Sequence, residues 1–374
     1  VGGFFNPLII IIISLLLLGI IIWLNKGFQV DLHCNTPWRF LIFPALACLL
    51  WLQASYFPMG GWDAWSCWNL KAKFIYFGHD QWKNVLDPIL WRSNTGYPLG
   101  LPCLNVWFWQ WTGFSQSVLM FNTILLTLLT AGVLFFGLQS FTLSFLESSL
   151  VTLSVFTLAF GQMLLISQYS DILFSLYLLC AFVCFAHYHH QKNKNFLILT
   201  GLFIGLLAFT KNEGLAASSI LALLICLQKP KHILLFLGTV ALAALPMLIF
   251  TFLMAPHSQA FINGLLSAQK PSNLERFIYI LKYSFFELIS IKWMVLWILA
   301  LVGLMIAKAN AFKNPFNIIG LFVGAYLIVI IGYYQINTFF EIKWWMDNTL
   351  HRIIFALMPS IFLWLGVSLF KKGA

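Results

Sequence analysis

The chain has 374 residues, 61% of them hydrophobic and only 9% charged, with a formal charge of +10 from 21 Lys and Arg against 11 Asp and Glu. Soluble chains are about 25% charged, and a fold of this size still turns a large surface to water, so the composition excludes a soluble enzyme, a disordered chain and a nucleic-acid-binding domain. What remains is an all-α polytopic membrane protein, in which surplus basic charge belongs to cytoplasmic loops before it implies a polyanionic partner.

Apolar stretches fit to span a bilayer recur along the chain, and a spanning helix needs about 17–25 such residues. Eleven candidates lie near 8–24, 40–57, 117–138, 150–167, 171–188, 196–210, 213–228, 232–254, 288–307, 315–333 and 352–370. The first reads as an anchor rather than a cleavable signal. Backbone hydrogen bonding inside lipid then requires a helical bundle. The gaps at 168–170 and 211–212 are so short that their flanking spans form antiparallel hairpins. The seven cysteines, at 34, 48, 67, 103, 180, 184 and 226, show no paired spacing for zinc or a disulfide framework and read as packed thiols.

Sidedness follows from the short basic loops. They are His189-His190-Gln191-Lys192-Asn193-Lys194, Lys229-Pro230-Lys231, the loop with Lys308 and Lys313, and the tail with Lys371 and Lys372. Placing these inside puts 58–116, 168–170, 211–212, 255–287 and 334–351 outside. Of the acids, only Asp31 and Glu147 then fall on the inner side. Asp63, Asp80, Asp87, Asp171, Glu213, Glu275, Glu287, Glu341 and Asp347 gather on the outer face. Long loops hold more acids in any case, but that does not account for several standing at helix ends. The outer face is therefore the expected working surface.

The first outer loop, 58–116, is rich in tryptophan. Trp62, Trp65 and Trp68 recur every three residues, close to one helical face. Two readings stand: a helix lying flat in the interface with Lys71 and Lys73 at the headgroups, or a Trp stripe packed on the protein's own spans. Asp63 follows Gly60-Gly61, a pair suited to a tight turn, and opens that helix either as an N-cap or as a functional carboxylate. Further on, Asn94-Thr95-Gly96-Tyr97-Pro98-Leu99-Gly100-Leu101-Pro102 breaks any helix, and 103–112 forms a second interfacial helix. The 255–287 segment offers Ser258, Gln259, Asn263, Gln269, Ser272 and Asn273 and is a candidate lid.

This order of features resembles the GT-C superfamily of integral-membrane glycosyltransferases, in particular the family-39-like members related to protein mannosyltransferases and aminoarabinose transferases. The resemblance covers roughly 40–370. It rests on the acid after an early span, the Tyr97-Pro98 segment, the turn Gln168-Tyr169-Ser170-Asp171, the hairpin Thr210-Lys211-Asn212-Glu213-Gly214, and a late span with His351-Arg352 ahead of Pro359. Departures are an extra span ahead of the acidic loop, the lack of a large soluble C-terminal domain, and Ala64 after Asp63 where a tandem acid pair is usual.

The resemblance implies transfer of a sugar from a polyprenyl-phosphate donor to a glycan, lipid or protein acceptor, at the outer face of a bacterial inner membrane. It implies Asp63 as catalytic base, assisted by Asp171, and Arg352 on the carrier phosphate. Lys211, Glu213, His351, Lys71 and Tyr97 are further substrate-binding candidates. The resemblance names no definite cofactor, and a divalent cation shared by Asp63 and Asp171 stays open. The bland reading of each residue stays open too: a capping carboxylate, a snorkelling arginine, a Lys211–Glu213 ion pair as structural glue. The rival function is a transporter or flippase for a lipid-linked substrate. A transporter calls for inverted halves and mid-membrane acids, and the sequence shows neither.

Overall fold

The computed structural model describes residues 41–141, 143–157, 159–256, 274–294, 296–312, 315–337 and 340–370. The expected span at 8–24 and the 257–273 part of the candidate lid lie outside the described residues. Every regular element among the described residues is helical.

The first described helix is α1 (Ile42–Tyr56), and the chain then turns through the 58–116 loop. That loop holds a π turn (Ala64–Trp68), α2 (Asn69–Phe77), two 3-10 segments (His79–Leu86 and Pro88–Ser93) and α3 (Gly100–Thr112). Then come α4 (Gln116–Ser140), α5 (Phe145–Phe156), α6 (Ala159–Leu165), α7 (Ser170–Gln191), α8 (Lys194–Ala208), α9 (Asn212–Leu227) and α10 (Ile233–Ile249), the last extended by a π turn at Phe250–Met254. The chain closes with α11 (Leu274–Leu288), α12 (Leu296–Ala307), α13 (Asn317–Ile336) and α14 (Ile342–Phe370).

Among the described residues, five helices are long and apolar enough to cross a membrane: Gln116–Ser140, Ser170–Gln191, Ile233–Met254, Asn317–Ile336 and Ile342–Leu369. α1, α5, α8 and α9 are shorter apolar helices. Two expected spans are interrupted. The 150–167 stretch is split between α5 and α6. The 288–307 stretch begins at the end of α11, passes a short 3-10 turn and continues as α12, with a bend of 109° between the two halves.

Local chemistry sets several helix ends. Ser144 and Glu147 form a reciprocal capping box at the start of α5, which accounts for one of the two acids assigned to the inner side. Ser115 caps α4 and Asn193 caps α8. α8 packs against α7, α9 and α10. Its Gly201 and Gly205 face α10, where a Cβ on Gly205 would come within 2.5 Å of the Ala243 Cβ. Small residues four apart let two helix backbones approach in a medium that supplies no hydrophobic drive of its own.

α7 and α14 form the centre of the bundle: 83% and 89% of their most apolar windows are buried, against 22% for α10. Asp171 at the start of α7 and Arg352 in α14, only 4% and 14% exposed, are therefore held inside protein, where an unpaired charge is costly.

Candidate active site

Asp63 stands at the exit of a tight turn. Gly60 is left-handed (φ +69°), and a Cβ there would lie 2.5 Å from the Ser167 carbonyl oxygen. The Gly61 N–H donates to that same carbonyl at 2.9 Å. The glycine pair thus brings the loop bearing Asp63 against the turn bearing Asp171. Asp63 makes no side-chain cap bond to the turn that follows it. Its carboxylate is aimed elsewhere.

It receives Nη1 of Arg352 at 2.5 Å. The same guanidinium donates through Nε (3.1 Å) and Nη2 (2.8 Å) to Oδ2 of Asp171. The other oxygen of Asp171 accepts from Nζ of Lys211 at 2.7 Å. Two acids and two bases, from four separate segments, close into one net-neutral cluster. The Tyr169 ring lies under the guanidinium, 4.2 Å from its carbon, and Phe174 faces Lys211 at 4.9 Å. Both are cation–π contacts. The Asp171 and Lys211 side chains are only 4% and 5% exposed, whereas Arg352 is 14% and Asp63 23% exposed. The cluster is therefore sealed at its Lys211 end and open at its Asp63 end.

Lys211 pairs with Asp171, so the expected Lys211–Glu213 pair does not form. The reason is reach across the hairpins. Ser170 Oγ donates to the Thr210 carbonyl at 2.8 Å and locks the α6–α7 turn beside the α8–α9 turn, which sets Lys211 opposite Asp171. Glu213 is left with a buried Oε2 that has no hydrogen-bond partner. Its negative charge is the largest influence raising the Tyr97 phenol above its ordinary range, with burial next. Glu213 and Tyr97 are thus neighbours beside the cluster.

The remaining candidates are placed differently. Lys71 is fully buried rather than at the headgroups. Its ammonium donates to the carbonyls of Asn94 (2.7 Å) and Tyr97 (2.9 Å) and faces the Trp68 and Tyr97 rings, each at 5.9 Å. Burial pulls its pKa down, and burial likewise pushes the neighbouring Cys67 thiol up to about 11. His351 is half-buried, and its strongest charged neighbours are Lys292 and Glu287. The Trp stripe is divided. Trp68 is fully buried, while Trp62 and Trp65 are exposed, with ring centroids 4.3 Å apart. The i→i+5 winding of Ala64–Trp68 widens the turn, so Trp68 leaves the face that Trp62 and Trp65 share.

A shared cation finds no open pair of carboxylates here, because the Arg352 guanidinium bridges Asp63 and Asp171. Among the described residues no group of three or more His, Cys, Asp or Glu could hold a metal ion. The arrangement suits recognition of an anion at the guanidinium and proton transfer at the exposed carboxylate.

No protein-family model matches the chain, and no curated protein matches it by sequence. Among solved structures, ArnT from Cupriavidus metallidurans, a GT-C aminoarabinose transferase crystallised with undecaprenyl phosphate, is similar to this chain with a TM-score of 0.55. The fold is GT-C-like. The match has 14% sequence identity and covers 91% of this chain but 61% of ArnT, so this chain spans under two thirds of that protein's length. The fold expected from the resemblance is therefore found.

Sequence reasoning passed over Tyr169, although it stands two residues before Asp171 in a turn already singled out. It also passed over Asn69, Asn105, Asn122 and Gln168, which are all buried. The available signal was polarity: an amide such as Asn122 inside an apolar spanning stretch needs a partner.

Proposed function

We propose that the protein is a glycosyltransferase that moves a sugar from a polyprenyl-phosphate-linked donor to a glycan, lipid or protein acceptor. The observation that carries this reading is the Asp63–Arg352–Asp171–Lys211 cluster within a GT-C-like fold. The undecaprenyl phosphate bound by ArnT supports a lipid-phosphate donor. The basic loops at the opposite ends of the helices support an outward-facing site, in a bacterial inner membrane.

The geometry divides the labour. An arginine has five N–H groups, and Arg352 spends three of them on the two acids. Two remain for a donor phosphate approaching from the exposed side. As that phosphate docks, it competes with Asp63 for the guanidinium and frees the carboxylate. The acceptor hydroxyl then loses its proton to Asp63, and its oxygen forms a bond to the anomeric carbon. The bond from that carbon to the phosphate oxygen breaks, and the electron pair leaves on the lipid phosphate, where Arg352 stabilises the charge. Asp171 holds the two cations in place.

The sugar would lie toward Glu213 and Tyr97. A carboxylate oxygen whose lone pairs accept no hydrogen bond is an acceptor for sugar hydroxyls, and its desolvation is relieved when they arrive. Lys71 serves this region indirectly, by holding the segment that carries Tyr97. The deciding experiment is mass spectrometry of lipid and glycan extracts from cells with and without the gene. One glycan should lose one sugar, and the matching lipid-linked donor should accumulate. An unchanged inventory of both would overturn the reading.

A further inference from the structure

Four buried amides run head to tail through the floor of the first outer loop and end on the turn that carries Asp63. Asn122 Nδ2, from α4, donates to Asn105 Oδ1 of α3 at 2.6 Å. Asn105 Nδ2 donates to Asn69 Oδ1 of α2 at 3.2 Å. Asn69 Nδ2 donates to Gln168 Oε1 at 2.8 Å, and Gln168 Nε2 donates to the Pro58 carbonyl at 2.9 Å. All four side chains belong to residues no more than 3% exposed. The order of donors is forced from one end. The Pro58 carbonyl can only accept, so Gln168 must turn its NH2 toward it. That leaves Oε1 for Asn69, which must in turn present its own NH2, and so on to Asn122.

The chain ends where position matters most. Pro58 precedes the Gly60-Gly61 turn and Asp63. Gln168 precedes Tyr169 and Asp171, and it holds a left-handed backbone (φ 59°) that a non-glycine residue adopts only under constraint. Gln116 Nε2 adds a second bond to the Pro58 carbonyl at 3.0 Å. The two acid-bearing segments are thus joined twice, by the Gly61–Ser167 backbone bond and by the Gln168 side chain.

We propose that Gln168, Asn69 and Asn105 are positioning residues. Through them three helices fix the spacing of Asp63 from Asp171, and so the bridge that Arg352 makes between the two. None of the three touches the cluster; each acts through the 58–61 and 167–170 turns. The mechanistic half of this proposal rests on the catalytic reading of Asp63 given above, whereas the structural half does not.

The test uses the full chain in lipid nanodiscs, with Gln168→Met, Asn105→Leu, Asn122→Leu and Asp63→Asn. Hydrogen exchange of peptides covering 58–63 and 166–171 reports the joint without reference to activity. Single-turnover transfer reports its consequence. In Gln168→Met, exchange at the Gly61 amide should accelerate. The transfer rate should fall about tenfold or more, because misplacing reacting groups by an ångström costs up to about a hundredfold. The donor concentration at half-saturation should move less than about threefold, since the groups proposed to bind phosphate are untouched. Asn105→Leu should show the same pattern at lower amplitude and serves as the test if Gln168→Met does not fold. Asn122→Leu, at the far end, should change both least. Unchanged exchange at Gly61 in both Gln168→Met and Asn105→Leu overturns the proposal, as does faster exchange with an unaltered transfer rate. The two readings fail separately. Full transfer by Asp63→Asn would remove the catalytic base and leave the exchange comparison to decide the positioning.

Discussion

Asp63 and Asp171 contact the same arginine, yet their removal should have opposite signatures. Asp171 accepts three charge-assisted bonds, at 2.7, 2.8 and 3.1 Å, and it and Lys211 are almost wholly buried. Asp171→Asn leaves the Lys211 ammonium enclosed without an anion. Breaking a buried pair in this way costs roughly 3–5 kcal/mol. Asp63 accepts one bond from Arg352 and is about a quarter exposed, and Arg352 keeps both its bonds to Asp171 when Asp63 is neutralised. Asp63→Asn should therefore cost only about 1 kcal/mol, while transfer is abolished and donor binding is retained. Thermal unfolding in nanodiscs, followed by tryptophan fluorescence, reads the first quantity, and turnover with a lipid-linked sugar reads the second. A double variant, Asp171→Asn with Lys211→Met, restores charge balance and should recover much of the stability lost by Asp171→Asn alone, because removing both members of a buried pair is far milder than removing one. Equal destabilisation by Asp63→Asn and Asp171→Asn, or a double variant no more stable than Asp171→Asn, would refute this assignment of structural and chemical roles.

Arg352→Lys keeps a positive charge but loses the fork that bridges two acids; donor affinity measured by equilibrium binding should weaken about tenfold or more, and unchanged affinity removes Arg352 from phosphate recognition. Glu213→Gln and Tyr97→Phe should raise the donor concentration at half-saturation several-fold with little loss of folded protein, since each keeps its shape and loses one polar function; unaltered kinetics in both would place the sugar elsewhere. Cys67, held as a thiol up to about pH 11 by burial, should resist maleimide at pH 8 until the protein unfolds, as a mass shift on that peptide would report. The sign of the linkage follows: the folded state keeps a proton that the unfolded thiol loses near pH 8.5, so stability falls as pH rises from about 8.5 toward 11. Cys67→Ala should flatten that alkaline slope, and an unchanged slope would assign it to other groups.

Composition and local pattern were enough to define the class of molecule. The scarcity of charge required a membrane, the bilayer required helices, and the surplus of acids away from the basic loops marked one end of the bundle as the candidate site. The Gly60-Gly61 turn, the tight 168–170 and 211–212 connections and the Ser144–Glu147 cap are encoded within a few residues of where they act, so they are legible without coordinates. Partner choice is not. Arg352 meets an acid 289 positions earlier and another 181 positions earlier, and no local spacing records which of the chain's acids it reaches. Lys71 and Trp68 looked interfacial because Lys and Trp favour that boundary on average, but only packing against the 94–97 segment put both inside. Lys211 had a nearer acid in sequence at Glu213, and the hairpin lock at Ser170 gave it Asp171 instead. The sequence by itself determined which groups were present and at which end of the bundle they stand. The tertiary structure decided which charges neutralise one another and which carboxylate remains open, because a burial cost is set by the neighbours that exclude water, and those neighbours come from distant parts of the chain.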